Sequence, residues 1–257
     1  MTRPIEVQSI YQTRRDPRDP DLQTLPLLPG AIAGVDTTYY RQAEGTTFSP
    51  ARYSDRGQVF LFIRGTGEAQ SKGEIFSFDE IAALCVPGIG PMTITATGVP
   101  AEYLEVLLDL QAHEATPLLA KAPYFCRYSK CEPYAEAIKS PKTISRTIVP
   151  AGTIPRFCMG SVETMGPDTV GAHAHPMLEQ LFFGLPANAC VVTADGIEAA
   201  FGDGMLLHIP LGSRHGVRVE EGKRLHYVWM DFFRNEEDVT YIREQHKPMT
   251  GSASTDS

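Results

Sequence analysis

The sequence contains no apolar run approaching the roughly 20 residues of a membrane-spanning helix. Its opening, Met-Thr-Arg-Pro-Ile-Glu-Val, has no apolar core of the kind a secretory signal needs. Cysteine is scarce: five residues, an odd number at irregular spacings, which does not make a disulfide framework. The nearest pair, Cys126 and Cys131, lacks the spacing of a zinc clip. Basic residues are too few to balance the acids, 23 against 31, for a net charge of −8. That sign argues against a nucleic-acid partner, which needs a basic surface, and disfavours an anionic membrane surface. These absences together predict a reduced, cytoplasmic protein. Histidine is rare too, and the first half has none before His113.

What remains is ordinary globular composition, 42% apolar and 21% charged. The 257 residues allow one large domain or two small ones with a sizeable core. The informative stretch is 171–179, Gly-Ala-His-Ala-His-Pro-Met-Leu-Glu. Read as one extended strand, alternation with a period of two puts His173, His175 and Glu179 on one face. Two imidazoles and a carboxylate form the ligand set of a divalent metal site with open positions. A second block, Gly204-Met-Leu-Leu-His-Ile-Pro-Leu-Gly-Ser-Arg-His, ends in a Pro-x-Gly turn that delivers His215 as a fourth ligand. A single strand histidine more often belongs to the core or the surface. The second block is what tips the reading to metal.

The two blocks resemble the paired motifs of the cupin superfamily, small β-barrels that hold a metal with three His and one Glu. His173, His175 and Glu179 match the first motif; Gly204, Pro210, Gly212 and His215 match the second. The first motif's leading Gly is displaced, with Gly166 nearest, and its closing Gly comes early, at Gly184. Val219 stands where the second motif usually ends in Asn.

The chain also repeats itself. Gln58 precedes Glu179 by 121 positions, Lys72-Gly73 precedes Asp195-Gly196 by 123, Pro87 precedes Pro210 by 123, and Leu104 precedes Leu225 by about 121. The predicted fold is therefore all-β, two tandem cupin (jelly-roll β-barrel) domains, a bicupin. The segment 104–110 could pass for a helix on its own, and the repeat makes it a strand. The expected organisation is an N-terminal arm with strands (1–50), an N-terminal barrel (51–111), a connection (112–145), a C-terminal barrel (146–234) and a tail (235–257). The arm's arginine-rich stretch 14–18 reads as an anion grip or as solvated pairs with neighbouring Asp. The connection has weakly helical stretches at 114–121 and 133–139, and the last eight or so residues read as disordered. The repeat lays Arg52, Ser54 and Gln58 on the first-motif ligands, with Met92 near His215. The N-terminal barrel is accordingly metal-free, structural or oligomeric, unless Arg52 and Gln58 hold a second ligand.

The stretch 144–233 is similar to the 5-keto-4-deoxyuronate isomerases. The likeness rests on Val149-Pro150, on Met159-Gly160 ahead of the His-x-His strand, on Ala189-Cys-Val and on Ile209-Pro-Leu-Gly-Ser-Arg-His-Gly before an aromatic strand. That family tends to place four residues, not three, between the second His and the Glu. The resemblance implies a metal-dependent ketol-isomerase of carbohydrate metabolism. One divalent ion (zinc, manganese, iron or nickel) would polarise a carbonyl and its neighbouring hydroxyl while a base shuttles a proton. His226, Tyr227 and His208 are the candidate bases, and strand parity lets His226 or Tyr227 face inward but not both. Arg214 is the candidate partner for a substrate carboxylate, and also reads as a surface arginine. Phe182, Phe183 and Trp229 read as packing, with sugar stacking second. The same ligands suit an Fe(II) dioxygenase or a non-catalytic sugar-binding bicupin. A small-molecule ligand and a homodimer or larger homo-oligomer complete the expectation.

Overall fold

A computed structural model of the chain describes residues 5–12, 20–116, 118, 122–136 and 138–239. The arginine-rich stretch 14–18 and the Gly/Ser/Thr-rich end lie outside the described residues. None of the described helices is long and apolar enough to cross a membrane.

Numbered along the chain, the strands are β1 (Glu6–Ser9), β2 (Leu22–Leu27), β3 (Val35–Gln42), β4 (Thr47–Phe48), β5 (Arg56–Arg64), β6 (Gly67–Ser71), β7 (Glu74–Phe78), β8 (Ala82–Pro87), β9 (Met92–Ala96), β10 (Ala101–Asp109) and β11 (Tyr124–Arg127). The second half adds β12 (Pro133–Tyr134), β13 (Ile144–Ile154), β14 (Phe157–Met165), β15 (Asp168–His173), β16 (Leu178–Gly184), β17 (Ala189–Ala194), β18 (Ile197–Gly202), β19 (Met205–Ile209), β20 (His215–Val219) and β21 (Arg224–Phe233).

Each half is a sandwich of a large sheet and a four-stranded sheet. The large sheets run β11-β8-β5-β10-β3-β2 and β1-β19-β16-β21-β14-β13-β12; the small ones run β4-β9-β6-β7 and β15-β20-β17-β18. The shared order is the internal repeat made visible, and the segment 104–110 lies mostly in strand β10, as the repeat requires. The expected barrels are not closed by hydrogen bonds: among the described residues no sheet returns to its own first strand. Side-chain packing between two open sheets does the work of closure.

The strand compositions explain the layering. Apolar side chains leave both faces of β5: Phe60 and Phe62 enter the interior of the first sandwich, and Val59, Leu61 and Ile63 enter a core shared with the other half. In β16, Phe182 faces the second interior while Leu181 and Phe183 join the shared core. The two large sheets thus pack back to back across one hydrophobic layer.

The segments outside the barrels are placed differently from the sequence reading. The first fifty residues are divided. Strand β1 pairs with β19 of the second sandwich, while β2 and β3 extend the first. The connection supplies β11 to the first sandwich and β12 to the second. The stretch 133–139 is therefore not a helical turn: Pro133 and Tyr134 pair with Arg146 and Ser145, and the chain then closes a turn in which the Lys139 N–H donates to the Glu136 carbonyl.

Candidate metal centre

The site is built where β15 meets β20. These strands pair antiparallel from Asp168↔Val219 to Val170↔Val217, then shift register so that His173 lies opposite His215. The strand ends at His173, and residues 174–177, which include Pro176, form an irregular turn before β16. Gly212 takes a left-handed φ of 70°, as the Pro-x-Gly turn demands, and its N–H donates to the His175 carbonyl at 3.1 Å. One nitrogen from each of His173, His175 and His215 falls within 4.8 Å of the others.

The surroundings prepare these rings for a cation. Nδ1 of His173 lies 2.8 Å from the Gly171 carbonyl, and Nδ1 of His215 lies 3.0 Å from the Ser213 carbonyl. A carbonyl only accepts, so each Nδ1 carries the proton and each Nε2 presents its lone pair. Burial, and then the neighbouring His173, depress the His215 pKa to about 4, which keeps that imidazole neutral.

Glu179 is not with them. The carboxylate lies on the opposite face of β16, with Oε2 3.9 Å from Nε2 of His208, and it borders a separate cavity with Arg234 and Phe233. Alternation holds only within an uninterrupted strand, and the turn at 174–177 resets it. Gln180 takes the inward place instead. It sits in register with Asp231 of β21, donates from Nε2 to Asp231 Oδ1 at 2.7 Å, and lines the histidine cavity. Its Oε1 is buried with no hydrogen-bond partner. A buried acceptor left open is costly unless something occupies it. Three clustered imidazoles, with an open amide oxygen in the same cavity lining, are donors that suit a divalent ion.

The other candidates divide as parity demands. Tyr227 lines the cavity, and burial pushes its phenol pKa far up. His226 points the other way, 3.1 Å from the Tyr128 hydroxyl. His208 is buried on the outer face of β19, beside Glu179. Arg214 is exposed outside the cavity, its N–H held by Asp195. Phe182 and Trp229 line the cavity, whereas Phe183 packs into the shared core. Sequence reasoning passed over Gln180, Asp231, Glu136 and Lys139, all of which line the cavity. The four-residue spacing of the uronate isomerase motif lands on Gln180 and was the available signal.

In the first sandwich Arg52 and Ser54 are exposed and Met92 is core. Gln58 is interior and donates to Glu105, which also accepts from the Tyr40 hydroxyl at 2.8 Å. Phe60 and Phe182 occupy equivalent places two residues after Gln58 and Gln180, so the spatial offset here is 122.

No protein-family model matches the chain, and no curated protein does. Solved structures do match. The chain is similar to a putative glyoxylate-induced protein from Pseudomonas aeruginosa, at 12% identity over 91% of each chain with a TM-score of 0.73. It is similar to a cupin 2 conserved barrel domain protein from Leptotrichia buccalis, at 12% identity over 89% of this chain and 96% of that one, TM-score 0.60. A variant of Bacillus subtilis oxalate decarboxylase matches at 14% identity over 92% and 78%, TM-score 0.67. These likenesses define the class: the chain has a doubled cupin-like fold.

Proposed function

We propose that this chain is a metal-dependent cupin enzyme whose reaction takes place in the second sandwich, and that within this class it is an isomerase of a sugar or keto-uronate-like substrate. The observation that carries the reading is the cluster of three histidines, with the buried, open Oε1 of Gln180 in the lining of the same cavity. A divalent ion bound there would supply Lewis-acid polarisation of a carbonyl and its neighbouring hydroxyl. His173, His175 and His215 would hold it, with Gln180 Oε1 as a further oxygen donor. Asp231 is a carboxylate on the cavity wall, oriented by the Gln180 amide, and it takes the proton from one substrate carbon and returns it to the next. Tyr227, kept protonated by burial, donates a hydrogen bond to a substrate oxygen. Val162, Val170, Val217 and Trp229 exclude water around the reacting atoms.

A second reading, an Fe(II) dioxygenase, draws on the same ligand set. Without Glu179 the protein offers only neutral ligands, and three histidines leave room for both substrate and O₂. Elemental analysis of protein purified without added metal, beside His175→Ala, is the first test. Near-stoichiometric zinc, manganese or nickel, lost in the variant, together with ketose or uronate isomerisation under nitrogen, supports the isomerase. Iron with substrate-dependent oxygen uptake replaces it with the dioxygenase. Retained metal with neither activity reduces the site to a sugar-binding module, and no metal after reconstitution ends the catalytic reading.

A further inference from the structure

The connection between the halves does more than join them, because Tyr134, Glu136, Ile138 and Lys139 form one wall of the histidine cavity. Lys139 is the cation of that wall, and only 7% of its side chain is exposed. Its Nζ donates to the Glu136 carboxylate and, at 2.8 Å, to the Ser145 hydroxyl. An ammonium has three donors. The third has no hydrogen-bond partner among the described residues. Burial pulls the Lys139 pKa down, while Glu136 and Asp231 act to keep the proton on.

Charge accounting gives the open donor a meaning. The charged side chains lining the cavity are Lys139, Glu136 and Asp231; the metal-facing groups are imidazoles and an amide, neutral when they coordinate. One cation against two carboxylates leaves the cavity one negative, and a divalent ion makes it one positive. A buried net charge is expensive and is relieved by a counter-ion. A carboxylate at Glu179's position, had it faced inward, would have supplied that counter-charge from the protein.

We infer that the ligand supplies it: the cavity binds a small monoanionic carboxylate, recognised by the third N–H of Lys139, in preference to a neutral sugar. This deepens the reading above and rests on it. The cavity is small, about 100 Å³, and a short 2-oxo- or 2-hydroxy-carboxylate end is the part of a ligand the proposal places inside.

Cobalt(II)-loaded full chain, titrated with pyruvate and glycolate and with their neutral counterparts hydroxyacetone and glycolamide, tests this through the visible cobalt absorption. The carboxylates should bind at least tenfold tighter than the neutral probes. Lys139→Met should weaken pyruvate at least tenfold and leave hydroxyacetone alone; Glu136→Gln, which removes a negative charge, should strengthen pyruvate. Each protein is titrated fully loaded with cobalt, so that ligand affinity is read apart from any change the altered charge makes in metal affinity. A purely structural ion pair would suffer from both substitutions, so equal discrimination of charged and neutral probes, or effects of the same sign in the two variants, overturns the proposal while leaving the metal centre standing. Should Lys139→Met fail to fold, the double variant Lys139→Met/Glu136→Gln removes the Glu136 charge that the single change strands, and it too should lose pyruvate and keep hydroxyacetone. Failure to take up cobalt at all overturns both readings.

Discussion

The two sandwiches share a strand order and differ in what fills them. In the first, Tyr40, Phe48, Phe60, Phe62, Phe78 and Tyr103 occupy the interior, and a single buried carboxylate, Glu105, is satisfied by Gln58 and Tyr40. In the second, the equivalent space is a cavity, and the equivalent glutamine holds Asp231 while its oxygen stays open. The strand facing this space is two residues long in the first half, Thr47–Phe48, and six in the second, ending at His173. The same scaffold therefore becomes a packed core when aromatics take the inward positions. It becomes a candidate reaction chamber when histidines are brought to its mouth.

The largest break in this comparison should come from the packed side. Phe62 is fully buried and stacks on Phe78 with ring centroids 3.9 Å apart. Phe62→Ala should cost about 3–5 kcal/mol, read as a lower urea midpoint, while the folded protein keeps the metal content of the parent. A loss of metal at full stability would show that the first sandwich is not merely structural.

Next in size, the halves should respond to pH with opposite sign. Burial, the largest influence on Glu105, raises its pKa against the hydrogen bonds from Gln58 and Tyr40. Its contribution is full below the ordinary carboxylate value and is lost as pH rises through the raised one. His226 is depressed from 6.5 to about 4 by burial and then by Arg224. Its contribution, at most ~3 kcal/mol, is present above 6.5 and lost as pH falls through about 4. Urea midpoints across the pH range should show Glu105→Gln flattening the neutral side and His226→Asn flattening the acid side. The reverse pattern would mean the burial of these two groups has been misjudged.

Gln180→Ala should then weaken metal binding about 10- to 100-fold, measured by competition with a chelator, and should cost about 1–3 kcal/mol of stability because buried Asp231 loses the amide it accepts from. Gln58→Ala should leave metal binding untouched. This pair of variants tests whether equivalent glutamines have parted in role.

Much of this was legible in the residues. The β-rich runs, the repeat and the Pro-x-Gly turn are signals in the sequence, and the β-branched and aromatic run around Phe60 lies in a strand that the structure buries on both faces. The three histidines were readable because two are neighbours in sequence and the third follows a turn of recognisable chemistry. The fourth position was not, because strand parity was carried across Pro176. One residue of slippage there exchanges Glu179 for Gln180. The cation was misplaced for a different reason: Arg214 adjoins the ligand turn in sequence, whereas Lys139 reaches the cavity only through the pairing of β12 with β13 and its own bridge to Val170. No local pattern announces such a contact.

The smallest effects should mark the boundary of the site. Glu179 lies across β16 from the histidines, beside His208, and Arg214 is exposed with its backbone tied to Asp195. Glu179→Gln should therefore leave metal stoichiometry and chelator competition unchanged. Its effect on the unfolding midpoint should be smaller than that of Phe62→Ala, since the carboxylate lies 3.9 Å from its histidine neighbour. Arg214→Ala should leave pyruvate binding to the cobalt protein within twofold of the parent. If Glu179→Gln instead released the metal as Gln180→Ala is expected to, the chain between His175 and β16 would have to run in the other register, with every side chain of β16 exchanged between the cavity and the shared core. That exchange would put Phe183 in the chamber and Phe182 in the core, so a Phe182→Leu variant that altered ligand binding would restore the register described here.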